Sequence, residues 1–239
     1  MDYKYLPKKF TKWGVQFGLW FEPEMVNEDT KLYRKHPDWI VEPPQGRYSY
    51  GRGQLVLDFT NPAVVENIFE QMSLIIDETQ LDYLKWDMNR NLTEVYSNYL
   101  AKNGIRQGEF FHCYVQGVYQ LYEKLLERYP NLLIEGCASG GGRFDLGILY
   151  YSPQIWVSDN TDAIAGLNIQ ENTALAYPIT YLSNHVSQVP NGQIQRITPL
   201  ETRFNVVIFG ILGYELGFIK FRRTLKKYYK TADYTVQKP

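Results

Sequence analysis

The sequence predicts an α/β fold in which parallel strands alternate with helices. Two observations support this: short apolar runs alternate with helix-spaced amphipathic segments, and polar or charged residues follow the ends of the apolar runs. Among such folds, the (β/α)8 TIM-type barrel carries catalytic groups at the carboxyl ends of several strands. A doubly wound open sheet also binds ligands at strand ends and remains the rival architecture. About six strand candidates can be counted, fewer than the eight of a barrel, so either strands are missed or the barrel is incomplete.

The strand candidates are short and mostly apolar, and each precedes a polar segment. In chain order they cover residues 15–20, 55–59, 81–87, 132–135 and 155–158, with a last apolar run over 206–212.

Three helices are predicted between these runs. The first begins with Asn61 as N-cap and Pro62 in the first turn. The second covers 109–129 and is stopped by Pro130, and a third helical stretch lies near 169–177. The apolar side of the second helix is predicted to hold Val115, Val118, Tyr122, Leu125 and Leu126.

Composition narrows the class of protein. The 239 residues are enough for one large domain or two small ones, and with the strand pattern above we expect a single partial barrel domain over 1–239. The formal net charge of −1 argues against a nucleic-acid partner. No apolar run approaches the roughly 20 residues that a membrane helix needs, so no membrane partner is expected. The N-terminus lacks the apolar core of a secretory signal, and two cysteines predict reduced thiols. Together these features predict a cytoplasmic protein.

Two carboxylate clusters follow predicted strands and are the candidate catalytic groups. Lys85 and Asp87 share one face of the strand over 81–87, so the cation should lower the pKa of the carboxyl and favour an ionised nucleophile. Asp159 follows Ile155 and Trp156, and burial there would raise its pKa and suit it to donate a proton. Two carboxyls in opposed environments are the working pair of a glycosidase. The alternative, one helix N-cap and one ion-pair partner, is left open by the spacing alone.

Other site chemistries find no support in the sequence. The glycine-rich loop over 136–143 is neither a Walker A loop nor a dinucleotide-binding pattern, which leaves close approach to a neutral ligand or a simple turn. The three histidines lack metal-ligand spacing, and no Gly-x-Ser-x-Gly elbow is present. We therefore expect neither a metal nor an organic cofactor.

Four motifs in order resemble the α-galactosidases of glycoside hydrolase family 36. Each motif lies at the end of a candidate strand, and the resemblance as a whole runs from about Gly14 to Leu216. The motifs are Phe17-Gly18-Leu19-Trp20-Phe21-Glu22-Pro23-Glu24-Met25, Lys85-Trp86-Asp87-Met88-Asn89-Arg90, Glu135-Gly136-Cys137-Ala138-Ser139-Gly140-Gly141-Gly142-Arg143-Phe144-Asp145 and Ser158-Asp159-Asn160-Thr161-Asp162.

The resemblance implies a retaining hydrolase that releases terminal α-linked galactose from raffinose- or melibiose-type oligosaccharides. It implies that Asp87 is the nucleophile and Asp159 the acid/base. It further implies a galactose subsite lined by Trp20, Arg52, Lys85, Asn89, Cys137, Gly140 and Trp156. In a retaining enzyme the two carboxyl groups are expected to lie about 5–5.5 Å apart.

The chain departs from the family at both ends. The resemblance implies a β-sandwich before the barrel, for which we expect no counterpart in these 239 residues, and an Asp-Asp pair on the first barrel strand, which the segment before Gly14 does not supply. Residues 217–239 form a divergent basic tail. We therefore expect a barrel incomplete at its N-terminal strand, whose unpaired edge favours a homo-oligomer. A catalytically silent sugar-binding remnant, a raffinose-type α-galactosyl transferase and an α-N-acetylgalactosaminidase remain alternatives.

Overall fold

The computed structural model describes residues 14–46 and 49–215. The chain divides into two compact units. The described part of the first unit comprises residues 14–46, 49–139 and 145–153, and that of the second comprises 140–144 and 154–215. The segment before Gly14 and the predicted basic tail over 217–239 lie outside the described residues.

The first unit is built on three parallel strands. The strands of this unit are β1 (Gly18–Phe21), β2 (Met25–Val26), β3 (Leu55–Val56), β4 (Tyr83–Trp86) and β5 (Leu133–Gly136). Strand β1 pairs with β4 from Gly18 opposite Tyr83, and β4 pairs with β5 from Tyr83 opposite Leu133. A separate antiparallel pair joins β2 to β3.

The antiparallel pair corrects one strand assignment. The candidate over 55–59 is a strand only at Leu55–Val56, and it pairs with β2 rather than with the parallel strands. Leu57 then forms an isolated antiparallel bridge with Ile40. Apolar sequence alone does not distinguish a strand of the main sheet from one in such a small satellite sheet.

The two long helices of the first unit, over 62–79 and 110–128, pack against each other. The helix over 62–79 begins as predicted, because the Asn61 side chain accepts a hydrogen bond from Ala63 N at 3.0 Å. The helices of this unit are α1 (Lys31–Lys35), α2 (Pro62–Thr79), α3 (Asn98–Lys102), α4 (Phe110–Arg128) and α5 (Leu146–Tyr151), with 3₁₀ turns at Pro37–Trp39 and Gln107–Glu109.

The buried side of α4 is rotated from the predicted one. Val115 is 41% exposed, whereas Val118, Tyr122 and Leu125 are buried as expected. The buried side also holds Phe110, Tyr114, Gly117 and Leu121. At Gly117 an added Cβ would lie 1.9 Å from the Phe59 carbonyl oxygen, so this helix approaches the neighbouring backbone closely. Gly117 has no side chain to mark this side in an apolar pattern, and Tyr114 carries a polar hydroxyl.

The second unit also carries three parallel strands. Its strands are β6 (Gln154–Trp156), β7 (Leu182–Ser187) and β8 (Ile211–Glu215). Its helices are α6 (Ala163–Ala174) and α7 (Leu200–Val207), with a 3₁₀ turn at Ile179–Tyr181. Strand β6 pairs with β7 from Ile155 opposite Leu182, and β7 pairs with β8 from Ser183 opposite Ile211.

Three sequence assignments in the second unit change. The helix expected near 169–177 begins at Ala163, where Asp162 caps it, and ends at Ala174. The apolar run over 206–212 joins the end of α7 to the start of β8 rather than forming one element. Strand β7 was not predicted. Within the described residues, no helix is both long and apolar enough to span a membrane.

Candidate functional site

The end of β4 presents the first cluster of candidate site residues. Leu84 and Trp86 are fully buried, whereas Tyr83 and Lys85 are half-buried, so the strand alternates as its sequence predicts. Asp87 follows the last strand residue, and its backbone N–H donates to the Phe21 carbonyl at 2.9 Å. The carboxyl group is thereby fixed at the carboxyl end of the sheet, where parallel α/β folds bind ligands.

Hydrogen-bond donors surround the Asp87 carboxylate. Oδ2 accepts from Asn89 Nδ2 at 2.7 Å and from Trp20 Nε1 at 3.1 Å, and Oδ1 accepts from Met88 N at 2.9 Å. Burial of the carboxyl acts to raise its pKa, but hydrogen bonds from Cys137, Asn89, Trp20 and the Ser139 backbone outweigh it, so the pKa of Asp87 is lowered. This buried carboxyl, only 6% exposed, is held as the anion.

Lys85 has a direct carboxylate partner on the neighbouring strand. Its Nζ lies 2.9 Å from Glu135 Oε1, and the Glu135 side chain is only 2% exposed. The sequence predicted that Lys85 would lower the pKa of Asp87. The direction agrees, but the causes that the structure identifies are neutral hydrogen-bond donors.

Trp20 and Arg52 approach this cluster from other segments. Trp20, on β1, is 49% exposed while its indole Nε1 donates to Asp87, so part of the ring faces solvent beside the carboxylate. Arg52 Nη1 lies 3.3 Å from Glu22 Oε1, and the Arg52 side chain is 58% exposed. An exposed aromatic face and a guanidinium near a carboxylate suit a hydroxyl-rich ligand.

Gly140 is the first predicted site residue of the second unit in chain order. Its backbone has φ +87°, and a Cβ there would lie 2.8 Å from Ser158 Cα. Gly141 N donates to the Val157 carbonyl at 3.0 Å. Glycine is therefore required for the close packing of this loop against the segment after β6.

Asp159 sits in a more open environment than the sequence suggested. Its side chain is exposed, and Oδ1 accepts from Trp156 Nε1 at 2.9 Å. Trp156 is itself 7% exposed and packs on His185 with ring centroids 4.5 Å apart. The expected burial of Asp159 is not observed, because the carboxyl lies beyond the strand and not under its apolar neighbours.

A segment after β7 holds the loop that carries Asp159. Gln193 Nε2 donates to the Asp159 carbonyl at 2.5 Å, and Asn191 Nδ2 donates to Thr161 Oγ1 at 3.2 Å. Arg196 Nη1 lies 2.7 Å from Asp162 Oδ2, on a side chain that is 1% exposed. The backbone around Asp159 is thus fixed while its carboxyl remains accessible.

Asp58 follows a predicted strand in sequence, but its carboxyl is buried and bonded by neighbouring hydroxyl groups. Its Oδ1 accepts from Thr60 Oγ1 at 2.6 Å and its Oδ2 accepts from Ser97 Oγ at 2.5 Å. Burial raises the pKa of Asp58 despite these hydrogen bonds.

Among residues 14–46 and 49–215, no group of three or more His, Cys, Asp or Glu side chains could hold a metal ion.

The structure divides the predicted site residues between the two units. The first unit brings together Trp20, Arg52, Lys85, Asp87, Asn89 and Cys137; the second holds Gly140, Trp156 and Asp159. Because Asp87 and Asp159 lie in different units, the expected separation of their carboxyl groups stays a prediction. Sequence reasoning assigned no role to Glu22 or Arg196; Glu22 lies inside a quoted motif, whereas nothing in the local sequence marks Arg196.

Comparison with known proteins places these observations in a family. The Melibiase family model matches residues 2–236, beyond both ends of the motif-bearing region. Alpha-galactosidase Mel36A from Lactobacillus acidophilus is 51% identical over 207 residues, covering 87% of this chain and 28% of that protein. The chain therefore spans less than a third of this relative.

Solved structures show the same likeness. The α-galactosidase from Lactobacillus brevis matches with a TM-score of 0.95 and 48% identity, over 98% of this chain and 31% of that one. GH36 α-galactosidase AgaA from Geobacillus stearothermophilus matches at 0.93 and 45% identity, over 97% and 32%, and its variants are solved with raffinose and with stachyose. These matches, with the six parallel strands of the described residues, confirm the predicted fold class, an incomplete (β/α)8 barrel.

Proposed function

This chain belongs to the Melibiase family, and on that premise we propose that it carries the catalytic centre of a retaining α-galactosidase. The observation that carries the proposal is the Asp87 carboxylate, which is buried yet kept ionised by the donors around it. The nucleophile of a double displacement must be an anion when substrate arrives. Its oxygens must also be available for attack rather than bound to a cationic side chain.

In the first step, Asp87 attacks the anomeric carbon of a terminal α-linked galactose. A covalent bond forms between an Asp87 carboxylate oxygen and that carbon, and the bond to the leaving oxygen breaks. Asp87 Oδ2 already accepts hydrogen bonds from Asn89 Nδ2 and Trp20 Nε1. These donors fix the orientation of the carboxylate, and attack redistributes its charge without further rotation of the side chain.

In the proposal, Asp159 supplies the proton to the leaving oxygen and then removes one from water. That water attacks the anomeric carbon, the bond to Asp87 breaks, and galactose leaves with retained configuration. Solvent exposure of Asp159 leaves it accessible to the water that it deprotonates in the second step. The hydrogen bond from Trp156 Nε1 orients the carboxyl without excluding water from it.

Raffinose-type oligosaccharides are the proposed substrates. Variants of AgaA, 45% identical to this chain, have been solved with raffinose and with stachyose. The exposed ring of Trp20, the Arg52 guanidinium and Lys85 provide an apolar surface and donors that fit the mixed character of a sugar.

A sugar-binding remnant without turnover is the second candidate. It is favoured by the placement of the candidate sugar-binding residues around Asp87, which the first unit holds without Asp159. The residues of the first unit could still bind galactose in such a protein.

Assays of this chain with p-nitrophenyl α-galactoside and with raffinose separate the two candidates. We expect hydrolysis by the wild type and a loss of about 10³-fold or more in Asp87→Asn, since the amide cannot form the glycosyl intermediate. NMR of the first-formed galactose should show the α-anomer.

Asp29→Asn is the matched control, because Asp29 lies on the surface of the same unit. Its activity should equal that of the wild type. Galactose binding without turnover in any variant would support the remnant. Turnover that survives in Asp87→Asn, or a β-anomer as first product, would contradict the proposed mechanism.

A further inference from the structure

Glu22 lies next to the candidate site, but it has no part in the proposed catalytic steps. It follows β1, and its side chain is only 6% exposed. Two residues on, Glu24 is fully buried, and its carboxylate accepts from Trp86 Nε1 and Tyr114 Oη, both at 2.9 Å. Glu24 thus ties β4 to α4. Glu22 instead turns toward two residues of the predicted galactose subsite.

One oxygen of Glu22 gathers three donors from these residues. Oε1 accepts from Asn89 Nδ2 at 2.9 Å and from Asn89 N at 3.3 Å. The same oxygen lies 3.3 Å from Arg52 Nη1. Within the described part of the chain, Glu22 is the one side-chain partner of the Arg52 guanidinium.

The amide of Asn89 is therefore held between two carboxylates. Its Nδ2 donates to Glu22 and to Asp87, while its Oδ1 accepts from Ser139 Oγ at 3.3 Å. A flipped amide would place its oxygen against both carboxylates, so this arrangement selects one orientation. Glu22 fixes the group that in turn orients the nucleophile.

The backbone of Arg52 lies in a tight turn, which hydrogen bonds between Gly51 and Gln54 close in both directions at 3.1 and 3.0 Å. Arg90 Nη1 donates to the Ser49 and Gln54 carbonyls, on either side of Arg52. Arg52 itself adopts φ 55°, a left-handed conformation that is unfavourable for a residue with a Cβ. The turn holds this backbone conformation, so the contact with Glu22 fixes the direction of the guanidinium, on a side chain that is still 58% exposed.

We propose that Glu22 is a positioning residue that holds Asn89 and Arg52 for sugar binding through a single carboxylate oxygen. This inference rests on the proposed function, since both partners are assigned to the galactose subsite by that proposal. Glu22 itself does not touch the sugar; it acts through its two partners.

The test is a double-mutant cycle on binding of 1-deoxygalactonojirimycin, the ligand seen in an AgaA structure. We expect Glu22→Gln to weaken binding by about tenfold in the wild-type background, the effect of losing one charged hydrogen bond. In an Asn89→Ala, Arg52→Ala background the same change should have little further effect, because Glu22 has then lost both groups that it positions.

Glu70→Gln is the control, since Glu70 is exposed on α2 of the same unit and loses the same charge. It should bind the ligand as the wild type does. Equal losses from Glu22→Gln in both backgrounds would overturn the proposal, because they would show that Glu22 acts independently of its partners.

A second measurement separates this proposal from the proposed function. The side-chain amide protons of Asn89, assigned by their absence in Asn89→Ala, should shift upfield and exchange faster in Glu22→Gln, with no ligand present. If the wild type neither binds nor hydrolyses galactosides but this shift occurs, the proposed function fails and the positioning contact stands. If the resonance is unchanged in Glu22→Gln, the positioning role is wrong whatever the activity.

Discussion

Asp87 and Asp159 follow parallel strands in different units, and their surroundings differ in almost every respect. Asp87 is buried and accepts hydrogen bonds from several segments, which lower its pKa. Asp159 is exposed, with its carboxyl oriented by Trp156 and its backbone held by Gln193. The fold thus surrounds one carboxyl with donors that keep it ionised and leaves the other in contact with solvent.

The largest expected effect in the second unit is on proton delivery. Asp159→Ala should lose about 10²–10⁴-fold in kcat/KM for raffinose, since the sugar leaving group needs a proton. The loss should be much smaller for p-nitrophenyl α-galactoside, whose leaving group is stable as an anion. Equal losses on both substrates would remove the acid/base role from Asp159.

The next effect concerns the donors around Asp87. Cys137→Ala removes one of the hydrogen bonds that lower the pKa of Asp87, so this pKa should rise. The acid limb of kcat/KM should move to higher pH, with a loss of up to about tenfold at acid pH. Cys113→Ala, which changes the other cysteine in the same unit, is the control. Identical acid limbs in the two variants would show that the Cys137 thiol does not hold Asp87 ionised.

A smaller effect is expected where the loop of Asp159 is held. Arg196→Met leaves the buried Asp162 carboxylate without its ion pair, at about 1–3 kcal/mol, and loosens the loop. We expect kcat on raffinose to fall several-fold and limited proteolysis within residues 188–199 to accelerate. Arg106→Met, at an exposed ion pair, should change neither. Unchanged proteolysis in Arg196→Met would refute the role of this ion pair.

The smallest expected effect is on stability, to which the buried Asp87 and Asp58 of the first unit should contribute with opposite pH dependence. Because the pKa of Asp87 is lowered, its contribution to stability is present above the unfolded-state value of about 3.9 and is lost as pH falls through the folded pKa. Because the pKa of Asp58 is raised, its contribution is present below about 3.9 and is lost as pH rises through the folded pKa.

Melting temperatures of Asp87→Asn and Asp58→Asn, measured against the wild type at about pH 4 and about pH 7, check these signs. Raising the pH should make the difference from wild type more negative for Asp87→Asn and more positive for Asp58→Asn. Differences that move in the same direction would contradict the opposed surroundings of the two carboxyls.

Local signals predicted much of the first unit. The Asn61-Pro62 pair gave the start of α2, and alternation in β4 gave the buried and half-buried sides of the strand that leads to Asp87. The donors around Asp87 come from sequence positions as distant as Trp20 and Cys137, so their common target could not be found from spacing.

The second unit shows why the rest was missed. Strand β7 is almost wholly buried, but Ser183, Asn184 and His185 interrupt its apolar pattern. The count of about six strands therefore agreed with the structure partly by coincidence, since the candidate over 55–59 replaced the missed β7. Exposure of Asp159 is likewise a tertiary property, which its apolar neighbours in sequence do not determine.

The most direct test of Asp87 as nucleophile is covalent trapping. A fluorinated α-galactosyl fluoride that reacts quickly but turns over slowly should leave one galactosyl group on this chain, and mass spectrometry of the digest should locate it on the peptide that contains Asp87. A label on another carboxylate, or no label in a preparation that hydrolyses p-nitrophenyl α-galactoside, would contradict the account.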